Sequence, residues 1–112
     1  MFRRPRIKNE SHLRFIRQLP CLICGSPGVD AAHVRFACEK AGKRAVGVGE
    51  KPDDRWTVPL CRHHHTEQHS KEERLFWVGY NKDPIYISLI LYGLSGDTET
   101  AERVILLHRE SP

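Results

Sequence analysis

The chain is short and carries a net positive charge. Its 112 residues are 39% apolar and 29% charged, with a formal net charge of +4. This composition excludes disorder throughout, and the length excludes two domains with separate cores, so we expect one domain over residues 1–112. The longest apolar stretch, Ile85–Leu94, is shorter than the roughly 20 residues that cross a bilayer, and no membrane partner is expected.

The positive charge is concentrated at the N-terminus. Within residues 1–18, six basic residues accompany one acidic residue, which places +5 there and leaves −1 for the remainder. Such segments favour polyanions, and a solvated terminus is the alternative. No apolar segment of about 7–15 residues follows the basic start, as a secretory signal would require, so the sequence predicts a cytoplasmic protein.

The first half of the chain has the pattern of one helix and two strands. A helix is predicted from Asn9 or Ser11 to Leu19, where Pro20 stops it. Segments 29–36 and 55–60 have strand character and can pair as an antiparallel hairpin. The long loop between them is rich in glycine and charge, and loops of this length are often functional.

Helical patterns fill the second half. A helix is predicted over residues 63–70, and a capping box of Ser70 and Glu73 is predicted to open another that ends at residue 80. Pro84 fits the first turn of a third helix to residue 94, and Asp97 can cap a fourth that ends at residue 109. The core of this half is expected to contain Leu75, Phe76, Trp77, Ile87, Ile90, Leu91, Val104, Ile105 and Leu107. The predicted fold class is α+β.

Cysteine and histidine spacing indicates a metal site. Cys21 and Cys24 form a C-x2-C pair, and Cys61 and His64 form a C-x2-H pair. In a reducing compartment such pairs favour metal binding over disulfides. The two pairs supply four ligands, and Cys38, which stands alone between them, is expected to be a packing residue.

Three further histidines remain once those four ligands are assigned. His65 and His69 are four residues apart, so on a helix they lie one turn apart and can bind one metal ion. His64 points about 100° away from His65, toward the cysteines. His33 stands alone. The alternative is that these three are surface histidines.

Five elements follow one another in a recognisable order. They are the C-x2-C pair, Ala31-Ala32-His33-Val34-Arg35, a Gly-rich loop ending in Lys51-Pro52-Asp53-Asp54, Val58-Pro59-Leu60-Cys61-Arg62-His63-His64-His65, and His69. Over residues 12–80 this order resembles the HNH endonucleases, the ββα-metal or His-Me finger nucleases, and in particular their small phage and prophage-encoded members. The resemblance implies a ββα-metal core, a β-hairpin plus a helix with a zinc knuckle, flanked by an N-terminal helix and C-terminal helices. The chain then divides into a basic arm (1–10), the core (11–80) and a helical extension (81–112).

The resemblance implies a role for each site residue. His33 matches the general base that takes a proton from the attacking water. His65 and His69 match the ligands of the catalytic divalent metal, which would be Mg²⁺, Mn²⁺ or another divalent transition metal. The structural Zn²⁺ would be bound by Cys21, Cys24, Cys61 and His64.

Two positions depart from the family pattern. Ala32 stands where many members have a third metal ligand, and Trp56 stands where the family has its Asn. The third ligand is left open. Asp30 is near but is expected on the opposite strand face from the base, Asp53 or Asp54 could reach from the loop, and water or phosphate oxygens are the remaining source. Another group has to orient the base.

The sequence thus predicts a metal-dependent DNA endonuclease or nickase. DNA contacts are expected from Arg3, Arg4, Arg6, Arg35, Lys43 and Arg44. One alternative is a zinc-stabilised nucleic-acid-binding module without catalytic activity. The other is a zinc-knuckle adaptor for protein interactions. Protein partners are not predicted.

Overall fold

The protein has a mixed α+β fold. The computed structural model describes residues 6–46 and 51–110. Within these ranges, a two-stranded antiparallel hairpin is combined with five α-helices, which confirms the predicted class, and no helix is long and apolar enough to cross a membrane. The elements are α1 (Glu10–Arg17), β1 (Asp30–His33), β2 (Thr57–Leu60), α2 (Arg62–His69), α3 (Glu73–Gly79), α4 (Pro84–Gly93) and α5 (Thr98–Glu110), with a short 3-10 helix at Glu39–Ala41.

The hairpin positions the base candidate at the end of its first strand. Asp30 pairs with Leu60 and His33 pairs with Thr57. Both strands are shorter than the predicted segments. Beyond the last pair of the ladder, one further backbone hydrogen bond runs from the Val34 amide to the Trp56 carbonyl (2.8 Å). The helix α2 begins directly after β2, so strand and helix residues meet at one edge.

The core lies between the hairpin and the helices. Among the predicted residues, Phe76, Trp77, Ile87, Leu91 and Ile105 are buried, together with Ile16, Leu19, Ala32, Val58 and Leu60 from the first half. Two predicted core residues are instead on the surface: Leu75 is 65% exposed and Leu107 is 66% exposed. Helices α3 and α5 each bury one face, which is occupied by Phe76 and Trp77 in α3 and by Ile105 in α5, so Leu75 and Leu107 lie outside the buried faces.

The capping box predicted at Ser70 is wrong. The Ser70 hydroxyl donates to the Glu67 carbonyl (2.8 Å) at the end of α2, whereas the Glu72 side chain accepts from the Leu75 amide (3.2 Å) and caps α3. The cap of α3 therefore falls two residues later than predicted, at Glu72 rather than Ser70. Asp97 caps α5 as predicted.

The N-terminal segment is attached to the end of the long loop. The Arg6 guanidinium donates to the Pro52 carbonyl (3.1 Å), and the Ile7 amide donates to the Asp53 carboxylate (2.8 Å). In return, the Asp54 amide donates to the Ile7 carbonyl (3.0 Å). Residues 6–9 thus pack against residues 52–54, within the segment that the sequence predicted as a basic arm.

Candidate metal centre and catalytic cleft

Three cysteines and one histidine form a cluster at the base of the hairpin. The Sγ atoms of Cys24 and Cys61 are 3.8 Å apart, and the His64 Nδ1 atom lies 3.2 Å from Cys61 Sγ and 3.8 Å from Cys21 Sγ. All four ligand atoms lie within 4.8 Å of one another, so the cluster could hold a metal ion. The structure therefore brings together the four residues that the spacing paired.

A tight turn brings the first two cysteines together. The Gly25 amide donates to the Cys21 carbonyl (2.8 Å), and the Leu22 amide donates to the Pro59 carbonyl (2.9 Å), which fixes the turn to β2. Gly25 has φ +77°, and a Cβ there would lie 2.6 Å from the Arg109 guanidinium carbon. The left-handed backbone conformation favours glycine at this position, whereas the flexible Arg109 side chain could move away from an added Cβ.

The thiols of the turn differ in acidity. Burial raises the pKa of Cys21. Burial also raises the pKa of Cys24, but hydrogen bonds from Ser26 and the neighbouring thiols outweigh it and lower this pKa to about 7. A thiol with this pKa forms the thiolate that metal binding needs.

The histidine side chains of α2 point in two directions. His64 faces the cysteines, whereas His65 and His69 face away from them, with their Nε2 atoms 3.3 Å apart. The Asp30 carboxylate lies 2.8 Å from His65 Nδ1 and accepts from Arg62 at 3.3 Å. Because a carboxylate only accepts, this contact keeps the His65 proton on Nδ1 and leaves Nε2 as a lone-pair donor toward a metal.

His33 lies beside a buried carboxylate. Its Nε2 atom is 3.0 Å from Asp54 Oδ1, and the same oxygen accepts from the Arg6 guanidinium at 2.7 Å. Burial lowers the pKa of His33 below its usual 6.5, and the hydrogen bond to Asp54 opposes this shift without cancelling it. The imidazole is therefore neutral near pH 7, which is the form that can accept a proton.

A cleft of about 430 Å³ connects these histidines. It lies between α1, the hairpin and α2, and its lining includes His33, His65 and His69. Its remaining lining residues are Arg6, Glu10, Leu13, Arg17, Ala31, Arg35 and Lys51. The cleft is thus a basic hollow with three imidazoles at its base.

The six residues predicted to contact DNA have different positions. Arg6 and Arg35 line the cleft, and Arg44 does not belong to its lining. Lys43 is only 2% exposed, pairs with Cys38 in an isolated bridge and lies over the Trp56 ring, so its side chain is buried in this structure. Arg3 and Arg4 lie outside the described residues.

The sequence does not predict the imidazole contacts of two carboxylates, or the place of two α1 residues in the cleft. Asp30 and Asp54 were considered only as metal ligands, and each instead contacts an imidazole nitrogen. Glu10 and Arg17 of α1 were not expected in the cleft, and they form an ion pair at 3.2 Å. The acidic end of the loop was the one available signal for Asp54.

The fold and the Cys3His cluster define a small α+β protein with a site able to hold a metal ion. Residues 1–82 match the family described as Protein of unknown function (DUF968), and the chain belongs to that family. The chain is 35% identical over 68 residues to the uncharacterized protein YdfU of Escherichia coli strain K12. That match covers 61% of this chain but 18% of YdfU, so the chain spans a small part of this relative's length. No solved structure matches the chain.

Proposed function

We propose that the chain is a metal-dependent DNA endonuclease or nickase that hydrolyses phosphodiester bonds. The observation that carries the proposal is the 3.3 Å separation of the His65 and His69 Nε2 atoms in the cleft that also contains His33. Two ring nitrogens bound to one ion at about 2.1 Å lie roughly 3.0–3.4 Å apart. The pair has the spacing of a chelating site, and β1, β2 and α2 around it would form a ββα-metal core.

The Cys3His cluster fits a structural zinc ion. Two sulfur atoms bound at about 2.3 Å to one tetrahedral Zn²⁺ lie about 3.8 Å apart, and a sulfur and a ring nitrogen lie about 3.6 Å apart. The observed 3.8 Å between Cys24 and Cys61, and the 3.2 and 3.8 Å from the sulfurs to His64, lie around these values. Zinc there would join the turn at residues 21–24 to the start of α2 and so fix the direction of that helix.

The chemistry proposed for the cleft needs a base and a cation. His33 is neutral near pH 7 and takes the proton of the attacking water. A divalent cation bound by His65 and His69, whether Mg²⁺, Mn²⁺ or another divalent transition metal, would supply positive charge to offset the charge that develops on the phosphate and the leaving oxygen. Among the described residues, no third side chain joins this pair in a metal-binding group, so water and phosphate oxygens would have to supply the remaining ligands.

The cleft charge supports DNA as the substrate. Arg6, Arg17, Arg35 and Lys51 line it, against one acidic residue, Glu10. Polyphosphate backbones bind to such surfaces with release of counterions. The position of these cations around the three histidines would bring a phosphodiester to the base.

A plasmid-nicking assay tests the proposal. Protein with the weakly bound metal removed is assayed alone, and then with Mg²⁺, Mn²⁺, Co²⁺, Ni²⁺ or Zn²⁺ added separately. We expect no nicking without added metal and nicking with at least one of the added ions. Absence of nicking with every ion, by folded zinc-containing protein, would contradict the proposal.

A second candidate is a zinc-stabilised nucleic-acid-binding module without catalysis. The observation that favours it is Ala32, which is fully buried where many HNH nucleases carry a third metal ligand. This candidate predicts DNA binding in a filter or gel-shift assay with no cleavage under any metal. Failure of both binding and cleavage would favour a protein-interaction adaptor.

A further inference from the structure

We propose that Asp54 is the positioning residue for His33 and that Arg6 holds Asp54 in that position. The inference rests on the proposed nuclease function and adds two residues to its site. In effect, the N-terminal segment becomes a part of the catalytic cleft, since Arg6 belongs to that segment.

The carboxylate of Asp54 is fixed at both oxygens. Oδ1 accepts from Arg6 (2.7 Å) and contacts His33 Nε2 (3.0 Å), while Oδ2 accepts from the Asn9 amide (2.8 Å). The side chain of Asp54 is 2% exposed. Its backbone is also anchored, because the Thr57 hydroxyl donates to the Asp54 carbonyl at 2.9 Å. A buried carboxylate with every oxygen engaged has one orientation, and it transmits that orientation to the imidazole.

This contact determines which ring nitrogen of His33 is free. Because the carboxylate only accepts, the proton of neutral His33 lies on Nε2, and Nδ1 keeps the lone pair. The Gln68 side chain donates to the His33 carbonyl (3.2 Å) and fixes the strand end behind the ring. We therefore assign Nδ1 as the atom that accepts the proton from water.

The charged groups around His33 act on it in opposite directions. Asp54 stabilises the imidazolium form, whereas Arg6 and Lys51 destabilise it. Across the cleft lie His65 and His69. Removal of Asp54 and removal of Arg6 should therefore change the protonation of His33 with opposite signs, a result that simple loss of folding cannot produce.

The experiment compares Asp54→Asn, Arg6→Gln and the wild type, with Asp53→Asn as the matched control. Asp53 is also buried and anchors the same segment through the Ile7 amide. Zinc content, melting temperature and DNA affinity are measured first. Single-turnover cleavage at saturating metal is then followed from pH 5 to 9, and the His33 ring protons are titrated by NMR as a readout that does not depend on activity.

We expect Asp54→Asn to reduce the single-turnover rate about 10–100-fold with unchanged DNA affinity, the usual effect of losing a residue that orients a site imidazole. The acidic limb of its pH profile and the NMR titration should move to lower pH, and both should move to higher pH in Arg6→Gln. Asp53→Asn keeps a side-chain oxygen that can accept from the Ile7 amide, so it should match the wild type in rate and in both profiles.

The outcomes separate this role from the nuclease function. Wild-type cleavage together with unshifted profiles in Asp54→Asn and Arg6→Gln would overturn the positioning role alone. A folded wild type that does not cleave DNA with any of the added metal ions would overturn the nuclease function, and this role with it. If Asp54→Asn fails to fold, Arg6→Gln decides, because Arg6 holds the Asp54 oxygen that contacts His33. A single-turnover rate on bound DNA equal to that of the wild type would then overturn the positioning role.

Discussion

At the scale of single residues, Cys61 and His64 lie at the start of α2 and belong to the Cys3His cluster that could hold a metal ion. We predict that His64→Ala and Cys61→Ser lose the metal and unfold much of residues 20–70. Structural zinc can contribute roughly 10–16 kcal/mol of binding free energy, which is comparable with the whole stability of a small domain. Metal analysis measures the zinc content, and circular dichroism on the same preparations measures the loss of folded structure.

The neighbouring exposed histidine supplies the control for that prediction. His63→Ala, one position along the same helix, should keep the metal and the fold, because His63 is exposed and is not part of the Cys3His cluster. A His64→Ala protein that is stable and contains zinc would show that another group is the fourth ligand.

His33 supports a different prediction. His33→Ala should keep zinc and DNA binding and lose about 10²–10⁴-fold in cleavage rate, which is the usual contribution of a general base. Single-turnover cleavage on prebound DNA measures this, with His108→Ala on α5, outside the cleft lining, as the control. A rate within a few fold of the wild type would exclude His33 as the base.

The sequence predicted the Cys3His cluster but did not predict the contact between His33 and Asp54. Cysteine pairs with short spacing bring their own ligands together in a turn, so the pattern alone identifies them. Asp54 stands 21 residues from His33 at the end of a long loop, and its position depends on where that loop ends and on the attachment of Arg6. Local patterns contain no information about such a path.

At the scale of elements, the periodic segments were predicted well and their boundaries less well. The α1, α4 and α5 helices occur where apolar spacing and caps indicated them. The boundary between α2 and α3 was misplaced, because Ser70 and Glu72 are both plausible caps and only packing selects Glu72. Similarly, Leu75 and Leu107 fit the apolar spacing of a helix, but their helices bury neighbouring residues on a different face.

The contact between α1 and the turn after α4 gives a pH-dependent prediction. His12 is fully buried in α1, its Nδ1 lies 2.8 Å from the Ser95 hydroxyl, and burial lowers its pKa below 6.5. As pH falls through 6.5 the unfolded state takes up this proton before the folded state does, so the stabilisation is complete above pH 6.5 and is lost below it.

Replacement of this histidine tests the sign. We predict that His12→Asn shows a smaller loss of unfolding free energy between pH 7.5 and pH 6 than the wild type does. Urea denaturation at the two pH values, on zinc-containing protein, measures it. An equal or larger loss in the variant would contradict the assignment.

At the scale of the whole molecule, the cationic side chains of the cleft should determine how the proposed DNA binding depends on salt. Lys51 is exposed in the cleft lining, whereas Lys43 is buried. We predict that Lys51→Ala reduces the slope of log K against log salt by about one unit, since each phosphate contact contributes nearly one unit.

Lys43 is the matched control on the same loop. Lys43→Met keeps an unbranched side chain over Trp56 and should leave the salt slope unchanged. DNA-binding titrations at salt concentrations from 50 to 300 mM give the slope for each of the two variants. An unchanged salt slope in Lys51→Ala would mean that the DNA-binding surface lies elsewhere.

The separation of two metal sites on one helix is the central claim, and cleavage by His65→Ala and His69→Ala tests it most directly. Zinc content, melting temperature and metal-stimulated plasmid nicking are measured on the same preparations, with His63→Ala as the matched control. We predict that both variants keep zinc and have the melting temperature of the wild type but no longer nick DNA, while His63→Ala nicks normally. Full nicking by His65→Ala and His69→Ala would contradict the assignment of this cleft as a nuclease site.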